Sequence, residues 1–358
     1  MAYDFVVVGA GLFGATVART LTDRGKKVLV IDAKDHIGGM CYTEVIDGII
    51  AHRYGPHVFH TSDDRIWKWV NRFASFYQFM VRTKVIYEEK IYSLPFNLMT
   101  FNQLWGVVTP AEAMQKIDSL RVPIGDPKTV EEWALSQLGH EIYDKFIFGY
   151  TVKQWGRHPK QLPASILKRL PIRFTFDDNY FSDKYQGLPE GGYTAMFERM
   201  LDGIEVRLGT DFFSDRALFE HLGNVIYSGR IDRYFDYVYG PLAFRSCEFE
   251  TKVMDGDFQG NPVIHHSSRT VPYTRVVEHK HFGQYINPKT VVTWEYPFEC
   301  DQKSMPLYPV NDLKNMSLYK LYRSLPTSAI FGGRLGSYRY RDMHHVIAEA
   351  LALAEKLT

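Results

Sequence analysis

The chain opens on an apolar run, Phe5-Val-Val-Val8, breaks at Gly9-Ala-Gly-Leu-Phe-Gly14, continues with helical periodicity to Asp23 and, past Gly25, resumes as Val28-Leu-Val-Ile31. That order predicts strand, helix and parallel strand. Val81, Thr83, Val85 and Tyr87 alternate with polar residues, and Glu88-Glu89-Lys90 reads as a turn, so 81–92 is an antiparallel hairpin. From about 109 to 170 the pattern is helical. Thr109-Pro-Ala-Glu112 and Thr129-Val-Glu-Glu132 each place a glutamate three residues after a threonine cap, which predicts two helix starts. Short β-branched and aromatic runs at 172–176 and through 235–300 predict a second, antiparallel sheet. Gly191-Gly192 opens a helix to Met200, and Val225-Ile-Tyr-Ser-Gly229 reads as a buried strand returning to the first sheet. A last strand at 329–333 precedes a helix with Met343, Val346, Ile347, Ala350, Leu351 and Leu357 on one stripe.

At 358 residues the chain exceeds what one core usually supports, and two or three domains are expected. No repeat or low-complexity linker separates them, so they interleave. The formal net charge of +1 excludes a global field for a polyanion, and no nucleic-acid partner is expected. Cys41, Cys247 and Cys300 have neither disulfide-framework nor zinc-site spacing, which points to a reducing cytoplasm. The longest apolar stretch, from Phe5 to Ala18, is short, glycine-broken and preceded by Asp4, so neither a secretory signal nor membrane insertion is expected. Aromatic residues, at 15% of the chain, exceed the needs of a core.

The Gly9-x-Gly11-x-x-Gly14 turn between strand and helix, with Asp32 ending the next strand, is the pattern of a dinucleotide site. Glycines admit the backbone to a pyrophosphate, the helix terminus offers free N–H groups, and the acid accepts from ribose. Two further glycine elements, Gly38-Gly39 and Gly332-Gly333-Arg334, favour the longer FAD over NAD. Aromatic plates beside arginines also occur: Phe146-Ile-Phe-Gly-Tyr150-Thr151-Val-Lys-Gln-Trp155, Arg169 and Tyr180. Such a combination suits a nucleotide sugar, which has one π face and two phosphate charges. On periodicity alone, Phe146 and Trp155 read as core residues.

These blocks, together with Tyr54-Gly-Pro-His57-Val-Phe-His60-Thr61, Arg173-Phe-Thr-Phe-Asp-Asp-Asn-Tyr180, Val271-Pro-Tyr-Thr-Arg275, Val-Glu-His279-Lys-His281-Phe282, Tyr308-Pro-Val-Asn311 and Phe331-Gly-Gly-Arg334, resemble the prokaryotic UDP-galactopyranose mutases over nearly the whole chain. The resemblance implies an α/β fold: a Rossmann-like FAD-binding domain with an inserted helical bundle and an antiparallel β-sheet domain. It divides the chain into 1–75, 190–232 and 313–358 for FAD, 95–170 for the bundle with a mobile substrate lid, and 76–94, 171–189 and 233–312 for the sheet. It implies a cytoplasmic homodimer, an unidentified flavin reductant, and an intramolecular transferase for cell-surface polysaccharide synthesis. In that family reduced FAD attacks the anomeric carbon through N5 as UDP leaves, without net redox. The FAD set implied is Gly9, Gly11, Phe13, Gly14, Asp32, Ala33, Gly38, Gly39, Met40, His57, Val58, Arg334, Asp342 and Met343. The substrate set is His60, Phe146, Tyr150, Thr151, Trp155, Arg169, Tyr180, Arg245, Arg275, Tyr308 and Tyr340, with Arg169 and Arg275 catalytic through the diphosphate. His57 and His60, three residues apart, lack a third ligand at zinc spacing, and no metal is expected.

Three positions depart from the family pattern, which has asparagine where this chain has Met40, Val81 and His265. The last two fall where the family contacts substrate, so UDP-N-acetylgalactosamine and dTDP-fucose stand beside UDP-galactopyranose as substrates. An oxidoreductase of amine-oxidase type shares the first motif alone, and a non-catalytic nucleotide-sugar binder is the remaining alternative.

Overall fold

The computed structural model describes residues 2–168, 170–283 and 285–358. Its first layer is a five-stranded, all-parallel sheet in the order Glu205–Arg207, Val28–Ile31, Phe5–Val8, Asn224–Tyr227, Ile330–Phe331. Parallel sheets are covered on both faces, and alternate residues sort accordingly. Phe5, Val7, Val28, Val30 and Ile226 join one core with the helices Leu12–Thr22, Gly192–Leu201 and Met343–Lys356. Val6, Leu29, Ile31, Val225 and Tyr227 join another with Phe212, Phe219 and Tyr234.

The second sheet has seven strands, in the order Tyr308–Pro309, Phe244–Asp255, Lys289–Glu299, Arg275–Glu278, Val263–His266, Thr83–Tyr87, Lys90–Leu94. Its pairings are antiparallel except that Val263–His266 runs parallel to Thr83–Tyr87, which the intervening helical chain makes topologically possible. The short runs expected over 235–300 are instead dominated by two long strands of 12 and 11 residues, paired from Arg245 and Glu299 to Asp255 and Lys289. No strand forms at 172–176. Pro171 precedes it and Asp177 accepts from Asn179 N in a turn after it, so only isolated bonds form, Arg173 N to Phe96 O and Leu98 N to Thr175 O. Phe76–Gln78 and Tyr185–Pro189, expected in the second sheet, lie in a separate three-stranded sheet, in which Tyr185–Pro189 pairs with Phe76–Gln78 on one side and with Phe59–Thr61 on the other. The assignments of 76–94 and 171–189 are corrected to that extent.

Between the sheets' sequence segments lies the helical region. Both threonine caps form as expected: Thr109 accepts from Glu112 N, Thr129 from Glu132 N, and each glutamate returns a carboxylate to its cap. One helix, Leu98–Trp105, starts earlier than the pattern indicated, because Asn97 and Thr100 form a capping box without a glutamate. A π-helical turn, Tyr143–Phe148, leads into Gly149–Trp155 and turns Phe146 and Tyr150 toward the second sheet. Among the described residues no helix is long and apolar enough to cross a membrane.

Candidate active site: two abutting cavities

The larger cavity, about 270 Å³, lies at the carboxyl ends of the parallel strands, where α/β sheets bind ligands. Its floor is glycine for a steric reason. Gly9 has φ of +110°, and a Cβ there would stand 2.1 Å from Ser228 Oγ; one on Gly39 would stand 2.9 Å from Gly11 Cα. Gly11 caps the helix Leu12–Thr22 without a side-chain bond, so the first N–H groups remain available to an anion. Asp32 fastens this turn: Oδ2 accepts from Ala10 N at 2.7 Å and Oδ1 from Lys34 N at 2.9 Å. Phe13, Ala33, Gly38, Met40, His57, Arg334 and Met343 complete the expected lining. His57 Nδ1 lies 2.8 Å from Gly55 O and donates to it, which leaves Nε2 as an acceptor, and burial pushes its pKa down to about 4.

Three expected FAD contacts do not line this cavity. Gly14 packs under it, Val58 is buried in the main core, and Asp342 stands at the N-terminus of Met343–Lys356. Sequence reasoning missed Phe212, Phe213, Tyr227, Arg233 and Arg341, which do line it. Phe212 opens the turn that follows the strand Glu205–Arg207 after the short loop 208–211, so its place beyond a strand's carboxyl end was the available signal.

The second cavity, about 140 Å³, sits between the helical region and the seven-stranded sheet. One wall is a row across four adjacent strands: Glu295 opposite Arg275, Arg275 opposite His265, His265 opposite Val85. Phe146, Tyr150, Thr151 and Trp155 face it from the helical side, with Tyr180, Tyr308 and Tyr340 closing the ends. Arg275 presents Nε and Nη2 to one Glu295 oxygen at 2.7 and 2.6 Å, and Nη2 also reaches Tyr308 OH at 3.4 Å. Burial opposes the Arg275 charge, yet Glu295 and the flanking tyrosines hold its pKa well above the ordinary value. Burial likewise pushes Glu295 up, with Arg275 acting against the shift, and pushes Tyr308 to about 12. The cavities touch through a stacked pair. Arg334, from the first, stacks 4.8 Å over the Tyr340 ring of the second. Behind the linings, Gly55, whose carbonyl holds His57, packs so that a Cβ would come within 3.1 Å of Glu295 Oε1.

Two expected substrate residues lie elsewhere, and Arg169 lies outside the described residues. His60 pairs through Nδ1 with Asp183 at 2.7 Å and stacks on Phe181 at 3.6 Å, away from the cavity. Arg245, 5% exposed, caps the end of Gly149–Trp155: Nε donates to Gln154 O at 2.9 Å, Nη2 to Lys153 O at 3.0 Å and Nη1 to Glu299 at 3.0 Å. A cation at a helix C-terminus complements its orphan carbonyls and dipole. Lys153 fixes the same helix to the sheet by donating to His266 O, Val271 O and Tyr273 O. Arg245→Met, which removes three charge-assisted bonds worth about 1.5–3 kcal/mol each, is therefore expected to lower Tm by several degrees in thermal melting, while bound flavin per protein, read by absorbance, stays unchanged. Of the three departures, Val81 is buried in the main core, whereas Met40 lines the first cavity and His265 the second.

Among the described residues Asp257, Glu278 and His281 approach at ligand distances, but Glu278 already accepts from Phe258 N, Gln259 N, Gly260 N and Thr290 Oγ1, and Asp257 pairs with Lys280. That trio is distant in role from both cavities, neither of which it lines.

Comparison with known proteins resolves the family. Residues 145–340, more than half the chain and the part that builds most of the second cavity, match the model of the UDP-galactopyranose mutase family. The chain belongs to the UDP-galactopyranose mutase family. Residues 7–73 also match an NAD(P)-binding Rossmann-like domain. A probable UDP-galactopyranose mutase of Klebsiella pneumoniae is 42% identical, aligned over 99% of this chain and 94% of its own. A dTDP-fucopyranose mutase of Escherichia coli is also 42% identical, over 98% and 97%. The fold of a reduced UDP-galactopyranose mutase superposes with a TM-score of 0.76 at 14% identity, covering 99% of this chain and 93% of that one. As a UDP-galactopyranose mutase family member the chain is an isomerase with FAD as its cofactor. The glycine cradle, the open helix terminus and the arginines of the first cavity fit that group.

Proposed function

We propose that this chain interconverts UDP-galactopyranose and UDP-galactofuranose, with FAD in the larger cavity and the nucleotide sugar in the smaller. The observation that carries the reading is a buried, permanently charged Arg275 facing a cavity of aromatic plates that abuts the glycine cradle through Arg334 and Tyr340. Reduced FAD, when bound, supplies the electron pair that holds the sugar's anomeric carbon while UDP is detached. The protein's own residues do the rest. Arg275 meets the negative charge that grows on the diphosphate as its bond to the sugar lengthens, with Glu295 fixing the direction of the guanidinium fork. Tyr308, kept protonated by burial, adds a phenolic donor beside it. Phe146, Tyr150, Trp155 and Tyr180 bury the base and sugar and exclude water from an intermediate that hydrolysis would destroy.

Arg169 is proposed as the second diphosphate arginine. The remaining expected division of the chain, with 95–170 bearing the substrate lid, is part of the same proposal. Unpaired Cys41, Cys247 and Cys300 support a reducing, cytoplasmic setting, where a homodimer would feed polysaccharide synthesis. A cationic wall is unsuited to an amine, which disfavours the oxidase reading. The test is a product screen of dithionite-reduced protein against UDP-galactopyranose, UDP-N-acetylgalactosamine and dTDP-fucopyranose. Furanose from the first supports the assignment; furanose from dTDP-fucose alone transfers it to the chemistry named for the Escherichia coli relative.

A further inference from the structure

The equal similarity to a UDP-sugar and a dTDP-sugar enzyme leaves the nucleotide to be decided by the cavity itself. The row of side chains on its sheet wall is informative. Strand register places His265 directly opposite Arg275 on one side and directly opposite Val85 on the other. Residues opposite one another share a face, and adjacent strands stand ~4.8 Å apart. The wall therefore reads, in one line, a fixed cation, an imidazole and an apolar side chain. Beyond Val85 the lining is Leu94, Phe96, Phe146 and Ile147, a slot for a flat, weakly polar ring. A nucleoside diphosphate has the same order of chemistry: charged phosphates, a hydroxylated ribose, a base.

His265 is 9% exposed, lines the cavity and lies 5.5 Å from the Tyr150 ring. A ligand that expels water from the cavity leaves such a ring costly unless the ligand itself completes its bonding. Arg275 beside it and burial together push its pKa down to about 3, burial being the larger cause, so it stays neutral with one N–H donor and one nitrogen acceptor. A neutral donor–acceptor is matched to a hydroxyl and poorly matched to a phosphate already served by Arg275.

Resting on the proposed seating of a nucleotide sugar in this cavity, we infer that His265 is a specificity-determining residue that hydrogen-bonds the ribose hydroxyls, the 2′-hydroxyl included, and so selects uridine over deoxynucleoside diphosphates. Removing the 2′-hydroxyl leaves the imidazole partly unpaired in a buried wall, the situation in which polar sites discriminate most strongly. The consequence is that the chain takes UDP-sugars in preference to dTDP-sugars.

The experiment measures binding of UDP, 2′-deoxy-UDP and dTDP to the flavin-loaded wild type and to His265→Leu by titration calorimetry. The wild type is expected to bind UDP about tenfold more tightly than 2′-deoxy-UDP, the size of one neutral hydrogen bond, and His265→Leu to bind both with the affinity the wild type has for 2′-deoxy-UDP. Equal wild-type affinity for UDP and 2′-deoxy-UDP overturns the inference while leaving the nucleotide-sugar site intact. A preference that survives in His265→Leu overturns the assignment to His265. Failure of every nucleotide to bind overturns the site itself. Bound flavin per chain certifies that the variant is folded, and His265→Gln, which keeps a donor and an acceptor, is expected to restore part of the preference.

Discussion

Arg275→Ala is expected to lower kcat/KM for the nucleotide sugar by about 10²–10³, the range found when a donor to a developing oxyanion is removed. The loss should fall on kcat as well as KM, because the charge it meets is greatest when UDP has departed. The same substitution should damage the fold. Glu295 is 1% exposed and loses its ion-pair partner, and an uncompensated buried charge costs ~3–5 kcal/mol. The pH dependence has a definite sign. Burial already raises the folded-state pKa of Glu295, and loss of Arg275 removes the opposing influence and raises it further. A carboxyl with a raised folded pKa contributes stability that is complete below its unfolded value and is lost as pH rises through the folded one. The Tm deficit of Arg275→Ala relative to wild type should thus shrink as pH is lowered from 7 toward about 4.5, near the ordinary glutamate value. Arg275→Met combined with Glu295→Leu should recover much of the stability and none of the activity. Circular dichroism melting against pH, paired with turnover, separates the two roles.

Gly14→Ala is expected to strip the cofactor. A Cβ at this position would lie 1.9 Å from Gly9 O and 3.1 Å from Val7 Cγ1, so the helix Leu12–Thr22 must lift from the strand that precedes it. Overpacking costs ~1–3 kcal/mol, and at about 1.4 kcal/mol per decade FAD affinity should fall about ten- to a hundredfold. Visible absorbance per chain after purification reads this directly. Gly125→Ala, where a Cβ meets nothing within 4 Å, should retain full flavin.

How far the sequence carries is clearest in these same residues. The glycine turn, its flanking strands and Asp32 were legible because local chemistry dictates them: glycine at a close approach, an acid at a strand end. The two threonine caps were legible for the same reason. Arg275, Tyr308 and Tyr340 were placed by motif resemblance, and they do meet in one cavity. What escaped was decided by partners far along the chain. Glu295 was not visible as the anchor of Arg275, because a cross-strand pair depends on register between separate strands. Arg245 resembled a ligand by position, yet its guanidinium is spent on Lys153 O and Gln154 O, groups that exist as orphans only once the helix end is formed. Val81 looked like a change at the substrate, but it points into the main core and leaves His265 as the departure that lines the substrate cavity. The run at 172–176 had the composition of a strand, but Pro171 before it and the Asp177–Asn179 turn after it leave it only isolated bonds to Phe96 and Leu98.

The central claim is that the two cavities act as one site, in which a reduced flavin and a diphosphate-binding arginine serve a single isomerisation. Its most direct test is to incubate the protein anaerobically with UDP-galactofuranose, once oxidised and once reduced by dithionite, and to follow the nucleotide sugars by chromatography. UDP-galactopyranose should form many turnovers over with the reduced protein alone, and the flavin should remain reduced throughout. Equal conversion by the oxidised protein, or flavin oxidation in proportion to product, would contradict the account.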